Sequence, residues 1–362
     1  MKDMSFYHKH KIEFMNLGSV NNPKSIHGIY PYRGKISALD AAEIIKQLPK
    51  DAVLLDPFCG SGTIVYEAQK HGMNAIGVEL NPLAVTLSKA KTTPKSQANH
   101  ILEECERIII KAKNLSEEVI PIMPTPPANS FHEDTAKEIC RISVFEGEMT
   151  EYVKAAYFGA IALTARGCNH YKWTSSTVGK NIEPKRYINF YEKLSSKCKK
   201  HLYLNEAESN AEIISADARE LSKYIKPNTV DVVFTSPPYF DGLDYTAYYA
   251  KLIYEMQQVD RKKIKEKLIQ KVGDYYENMQ RVLDEIEKVT TDDAIIIFVV
   301  GDKKVKGELI SGGEYFSKVH YRKPSYIMER GYTGSSSQIF DKLNKTQRKE
   351  QIVVWDKQIG MK

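Results

Sequence analysis

The sequence predicts an α/β fold on a parallel sheet, interrupted by a largely helical insertion. Two observations carry this. Short apolar runs alternate with helically periodic stretches at the spacing of βαβ units, at residues 36–92 and again at 211–300. Between them, residues 95–208 hold helical stretches and a proline-rich loop (Ile120 to Pro127).

The elements follow in order. Residues 1–25 show no clear period, and Asn21-Asn22-Pro23 reads as a turn. Ile36 to Leu48 places Ile36, Leu39, Ile44, Ile45 and Leu48 at helical spacing, and Pro49 closes the helix. Ala52 to Asp56 is a short apolar run ending in a polar residue, as buried parallel strands do. A glycine turn leads into a helical pattern over Thr63 to His71. Asn74 to Leu80 reads as a second strand. Asn81-Pro82 then opens a helix, with Asn as N-cap and Pro at the first position. Beyond the insertion, Ala211 to Ser215 and Val230 to Thr235 are strand-like. Tyr245 to Thr290 reads as one long, charged helical stretch. Ala294 to Val300 is the most strand-like run in the chain, and Gln351 to Trp355 is the expected last strand.

Composition bounds the class. A chain of 362 residues with 42% hydrophobic and 27% charged residues can bury a core without disulfide staples, which excludes fibrous and wholly disordered readings. No run approaches the ~18 apolar residues of a membrane span. The first residues lack an apolar signal-peptide core, so no membrane association is expected. Five cysteines, with no Cys-x-x-Cys pair, argue against a disulfide framework and a structural zinc site, and fit a reducing cytoplasm. The net charge of +6 is mild, but its distribution is uneven. Residues 151–205 carry 10 basic and 3 acidic residues, and residues 303–362 carry 13 and 6. Two such stretches fit a polyanion partner or a solvated lysine-rich surface.

Three features carry chemistry. Asp56-Pro57-Phe58-Cys59-Gly60-Ser61-Gly62-Thr63 sits between a strand and a helix, and its glycines let backbone approach a ligand. It is neither a P-loop nor a G-x-G-x-x-G turn. Glu79 ends the next strand, where a carboxylate can accept both hydroxyls of a ribose or cap the following helix. Thr235-Ser236-Pro237-Pro238-Tyr239 follows the strand Val230 to Thr235. Consecutive prolines cannot continue a central strand, so the chain must leave the sheet at its carboxyl edge, where open α/β sheets bind ligands.

DPFCGSGT followed by TSPPY resembles the S-adenosylmethionine-dependent DNA amino-methyltransferases, the N4-cytosine and N6-adenine family. Ile26 to Lys35 resembles that family's N-terminal cofactor motif. The resemblance spans residues 26–92 and 211–300, and the TSPPY form is most like cytosine-N4 enzymes. It implies a Rossmann-like class I methyltransferase sheet with helices on both faces, and S-adenosyl-L-methionine as cofactor. By residue, it implies that Asp56, Phe58, Gly60, Ser61, Gly62 and Thr63 surround the methionine moiety and that Tyr30 and Pro31 close over it. It implies that Glu79 holds the ribose, Asn81 and Pro82 line the adenine side, and Asp217 reads the adenine amino group. Ser236, Pro237, Pro238 and Tyr239 are then the catalytic and base-binding residues. No metal is required. Cys59 lies in the cofactor turn and is expected to pack there rather than act as a nucleophile.

The expected division is residues 1–94 and 209–362 as two parts of the methyltransferase domain, with 95–208 as a target-recognition insertion. DNA is the expected partner, contacted from 166–201 and 303–349, and a cognate restriction endonuclease could accompany the enzyme. Segment 166–201 interleaves basic and aromatic residues, which suits either DNA contact or an ordinary amphipathic helix pair. The alternatives are transfer to adenine N6 or to an RNA base on the same fold, and, from another class, a non-catalytic nucleic-acid-binding protein.

Overall fold

The computed structural model describes residues 11–12, 25–32, 36–165, 186–208, 211–238, 244–247, 249–271, 273–305, 308–331 and 349–358. At its centre is a seven-stranded sheet built from β1 (Val53–Asp56), β2 (Asn74–Glu79), β3 (Glu212–Ser215), β4 (Val230–Thr235), β5 (Thr290–Gly301), β8 (Tyr326–Gly331) and β9 (Lys349–Asp356). A separate hairpin joins β6 (Lys303–Val305) to β7 (Glu308–Ile310).

The strand order is β3-β2-β1-β4-β5-β9-β8. The first five strands pair in parallel, and β9 runs antiparallel to both β5 and β8. The sheet is therefore mixed, not wholly parallel as βαβ spacing alone implies. The order reverses between β1 and β4, which opens a crevice at their carboxyl ends. Every residue of β4 is buried, as its central place requires.

Helices cover both faces. On one face, α1 (Ala38–Ile45) and α2 (Thr63–Lys70) send Ala41, Ile44, Val65 and Ala68 against Leu54, Val232 and Ile297. On the other, α10 (Tyr275–Val289) and α11 (Gly312–Val319) send Met279, Val282, Ile286 and Phe316 against Leu55, Val233 and Phe298. Each fully buried Val, Leu, Ile, Met or Phe among these contributes about 1.5–3 kcal/mol. α3 (Pro82–Lys91) starts as expected: the Asn81 side chain accepts from Leu83 N and Pro82 occupies the first turn.

The insertion is helical: α4 (Ala98–Lys113), α5 (Glu133–Ser143), α6 (Glu151–Thr164) and α7 (Phe190–Tyr203). It shares one hydrophobic core with α3 and with Ile26, Ile29 and Tyr30 of the N-terminal segment. Apolar on nearly every side, α6 is buried accordingly.

Three expectations change. The stretch from Tyr245 to Thr290 is not one helix but α8 (Tyr249–Met256), α9 (Arg261–Lys267) and α10. Gln258 takes the left-handed conformation (φ 55°) and Val259 N bonds back to Tyr254 O at 2.8 Å, a six-to-one closure that ends α8; Asp260 then caps α9. Strand β8 was not foreseen, because an edge strand needs only one inward face: Tyr326 and Met328 pack inward while Ile327 is exposed. Finally, α7 spends Phe190 and Tyr191 on the core, so these aromatics are not DNA contacts; Lys193, Lys199 and Lys200 stay exposed. Residues 166–185 and 332–348 lie outside the described residues.

Candidate active site

The first and last motifs meet at the switch point. β1 ends on Asp56, 2% exposed, whose Oδ1 accepts from Phe58 N at 3.1 Å and from Thr235 Oγ1 at 2.6 Å. Thr235 ends β4, so one side-chain hydrogen bond ties the two motif turns together. Burial raises the Asp56 carboxyl to about 7, although both hydrogen bonds pull the other way.

The turn after β1 depends on its glycines. Gly60 (φ 51°) and Gly62 (φ 74°) take left-handed conformations, and a Cβ at Gly62 would sit 2.8 Å from Ser88 Cα. Gly62 is the N-cap of α2, and α3 packs directly on the turn. Gly60 N donates to Glu79 Oε2 at 2.9 Å, and Glu79 Oε1 accepts from Leu80 N at 2.9 Å and Asn81 N at 2.8 Å. Burial raises the Glu79 carboxyl against these three bonds. Cys59 packs against Gly77 of β2, and burial pushes its thiol well up, the opposite of what a nucleophile needs.

β3 leads to Asp217, which caps a short 3-10 helix (Ala218–Lys223) through Arg219 N at 2.9 Å. The Arg219 guanidinium also grips its carboxylate, Nε to Oδ1 at 2.9 Å and Nη2 to Oδ2 at 2.5 Å. Burial alone would raise this group; the Arg219 bonds and charge outweigh it and hold it below the ordinary value. Where the chain leaves β4, Tyr275 Oη donates to the Pro238 carbonyl at 2.5 Å, pinning the Pro-Pro turn to α10.

These strand ends surround one cavity that opens to solvent. Phe58, Gly60, Glu79, Asn81, Asp217, Ser236 and Pro238 line it. Asp56, Ser61, Gly62, Thr63, Pro82 and Pro237 stand behind or beside the wall rather than on it. Ser61 is occupied inside the protein, accepting from Lys91 Nζ at 2.9 Å, with Lys91 1% exposed. Tyr30 and Pro31 are not on the wall: Tyr30 is buried in the helical core. The chain reverses tightly there (Tyr32 N to Tyr30 O, 2.9 Å), and Tyr32 reaches the cavity instead. Tyr239 lies outside the described residues. Sequence reasoning missed Tyr32, Val78, Leu80, Tyr245 and the segment Lys267 to Ile269, all on the wall. For Tyr32 and Leu80 a signal existed, since each adjoins a motif residue. For 267–269 there was none.

Among the described residues no group of His, Cys, Asp or Glu could hold a metal ion, and no helix is long and apolar enough to cross a membrane.

The family described as D12 class N6 adenine-specific DNA methyltransferase matches residues 34–297, from the N-terminal segment into β5. The chain belongs to this family. It is an S-adenosylmethionine-dependent DNA methyltransferase with the Rossmann-like class I methyltransferase fold. The methyltransferase is similar to the Type II methyltransferase M.MjaII of Methanocaldococcus jannaschii, at 21% identity over 81% of this chain and 75% of that one. It is also similar to the Type II methyltransferase M.BsoBI of Geobacillus stearothermophilus, at 24% identity over 76% of this chain and 64% of that one. Among solved structures, the rRNA methyltransferase aviRa of Streptomyces viridochromogenes aligns over 91% of this chain and 90% of that one, at 13% identity and a TM-score of 0.36. The fold assignment rests on the family and the strand order, not on that likeness.

Proposed function

We propose that this methyltransferase transfers a methyl group to the N4 amine of cytosine in DNA. The carrying observation is Ser236 on the cavity wall at the end of β4, in a Thr-Ser-Pro-Pro turn where adenine enzymes more often carry Asp. The second reading is adenine N6, favoured by the description of the matched family.

The cavity suits the cofactor. Its wall sets the Glu79 and Asp217 carboxylates and the Ser236 hydroxyl among apolar residues, as small-molecule sites do. Gly60 and Phe58 would hold the methionine end, the Glu79 carboxylate the ribose hydroxyls, and Leu80, Asn81 and Ile269 the adenine, with Asp217 toward its amino group. When bound, S-adenosylmethionine supplies an electrophilic methyl group. The protein's task is then to make a poor nucleophile reactive. An exocyclic amine has its lone pair delocalised into the ring. Ser236 Oγ and the Pro237 carbonyl each accept one amino hydrogen, which draws the nitrogen toward tetrahedral geometry and aims its lone pair at the cavity. Both acceptors must be fixed. Rigid prolines, the Tyr275 bond to Pro238 and the Thr235 bond to Asp56 fix them. Tyr239 offers an aromatic face to a base taken out of the helix. Residues 95–208 serve as the target-recognition region. The Type II relatives suggest a partner endonuclease with the same recognition sequence.

The test is mass spectrometry of nucleosides from DNA and RNA incubated with the protein and methyl-labelled S-adenosylmethionine. N4-methylcytosine in DNA is the expected product. N6-methyladenine would leave the mechanism and overturn the choice of base; label in RNA alone would overturn the substrate.

A further inference from the structure

The helix α9 stands at the mouth of the cavity, where its last residue, Lys267, joins the wall. Its sequence, Arg261-Lys262-Lys263-Ile264-Lys265-Glu266-Lys267, carries five cations and one carboxylate. Ile264 packs toward the helical core, while Lys262, Lys263, Lys265 and Lys267 are exposed. Lys267 also lines the cavity, as do Leu268 and Ile269 directly after it. The end of the helix is held in place, because the Lys267 carbonyl accepts from Arg219 Nη2 at 3.1 Å.

The cations divide into two sets. Lys265 Nζ lies 2.8 Å and Arg261 Nη1 3.4 Å from Asp244 Oδ2, five residues after Tyr239. Asp244 Oδ1 in turn accepts from Thr246 N at 2.9 Å and Thr246 Oγ1 at 2.6 Å. These two cations therefore fasten the far end of the segment that follows the Pro-Pro turn. Lys262, Lys263 and Lys267 make no such ion pair among the described residues. Lys263 and Lys267 lie one turn apart on one face.

We propose that α9 is a DNA phosphate-contact surface at the mouth of the catalytic cavity, with Lys262, Lys263 and Lys267 meeting phosphates beside the extruded base. A DNA methyltransferase must hold the strand on either side of that base, and the backbone there offers a dense row of negative charge. The occupant follows from charge complementarity and from continuity with the cavity through Lys267. The inference rests on DNA as the substrate, not on which base is methylated.

Phosphate contacts are sequence-independent and set the salt dependence of binding, so the recognition sequence need not be known. The probe is a fluorescein-labelled 30-base-pair duplex of random sequence, titrated by anisotropy at several salt concentrations. The combined variant Lys262→Gln, Lys263→Gln, Lys267→Gln is compared with the unaltered protein. A control variant, Lys50→Gln with Lys226→Gln, removes exposed cations from the opposite end of the sheet, before β1 and β4. The combined variant is expected to lower the slope of log affinity against log salt by about 2–3, at ~0.9 per phosphate, and to weaken binding about 10- to 100-fold near 0.1 M salt. S-adenosylmethionine affinity, by calorimetry, is expected to stay within twofold for Lys262→Gln with Lys263→Gln, which leaves the cavity-wall Lys267 in place. An unchanged slope would overturn the proposal. So would an equal loss in the control. A loss confined to cofactor affinity would make Lys267 a cofactor contact and overturn it as well.

Discussion

Gly159→Ala sets two known effects against each other. Gly159 lies inside α6, where alanine is ordinarily favoured over glycine by about 1 kcal/mol. Here the added Cβ would fall 2.0 Å from the Ile29 carbonyl oxygen and 2.3 Å from Lys197 Cε. The lysine tail can swing away, but it then gives up its 3.1 Å bond to the Gly28 carbonyl, a bond worth about 1 kcal/mol. The Ile29 carbonyl is backbone and must move by more than an ångström, off packing that costs about 1–3 kcal/mol to disturb. The clash therefore wins, and net destabilisation is about 1–3 kcal/mol. The displaced segment carries Tyr32 onto the cavity wall, so cofactor affinity should fall as well, about tenfold for each 1.4 kcal/mol lost there. Urea unfolding should show a lower midpoint with an unchanged slope, and calorimetry a weaker S-adenosylmethionine complex. A variant more stable than the parent, as helix propensity alone demands, would refute the close-approach argument.

Two further outcomes are expected. Asp56→Asn should flatten the dependence of stability on pH. The Asp56 carboxyl is raised from 3.8 to about 7, so between those values the unfolded chain sheds its proton while the folded one keeps it. Stability therefore falls as pH rises through that window and stays low above it, by about 4 kcal/mol in all. Parallel denaturation curves for parent and variant from pH 4 to 8 would sink this. Ser236→Ala should abolish methyl transfer in a filter assay while S-adenosylmethionine affinity stays within about threefold, since one cavity-wall hydroxyl at the base end is lost; near-normal turnover would remove Ser236 from the chemistry.

The strands at the centre of the sheet were legible because burial on both faces leaves a short, mainly apolar run, as with Val230, Val232, Val233 and Phe234 in Val230 to Thr235. The N-cap at Asn81 was legible because its chemistry is local. Strand β8 was not, because an edge strand with one solvent face shows no continuous apolar run. The break in the stretch from Tyr245 to Thr290 hid for a different reason. No proline or glycine marks the end of α8; a left-handed Gln258 ends it, a conformation that composition does not announce.

The site divides along the same line. Residues at strand ends, such as Phe58, Glu79 and Ser236, could be named from sequence because the sheet delivers them to one edge whatever else the chain does. What faces them from above could not. Tyr32 reaches the wall only because the chain reverses at Pro31, and that segment is held from outside by the insertion: Lys197 bonds Gly28 O, His201 bonds Ser25 O at 2.9 Å, and Gly159 admits Ile29 O. Lys197 is itself lowered to about 8, by burial first and by Lys200 second, so its hold weakens as pH rises above that value. The block that reads as an interruption of the α/β pattern is therefore what positions one wall of the cavity. A sequence pattern cannot show this, since the contacts join residues 25–29 to residues 159–201 through a shared core. α6 and α7 thus tie the helical insertion to the cavity wall through the backbone of residues 25–29 rather than through a catalytic side chain.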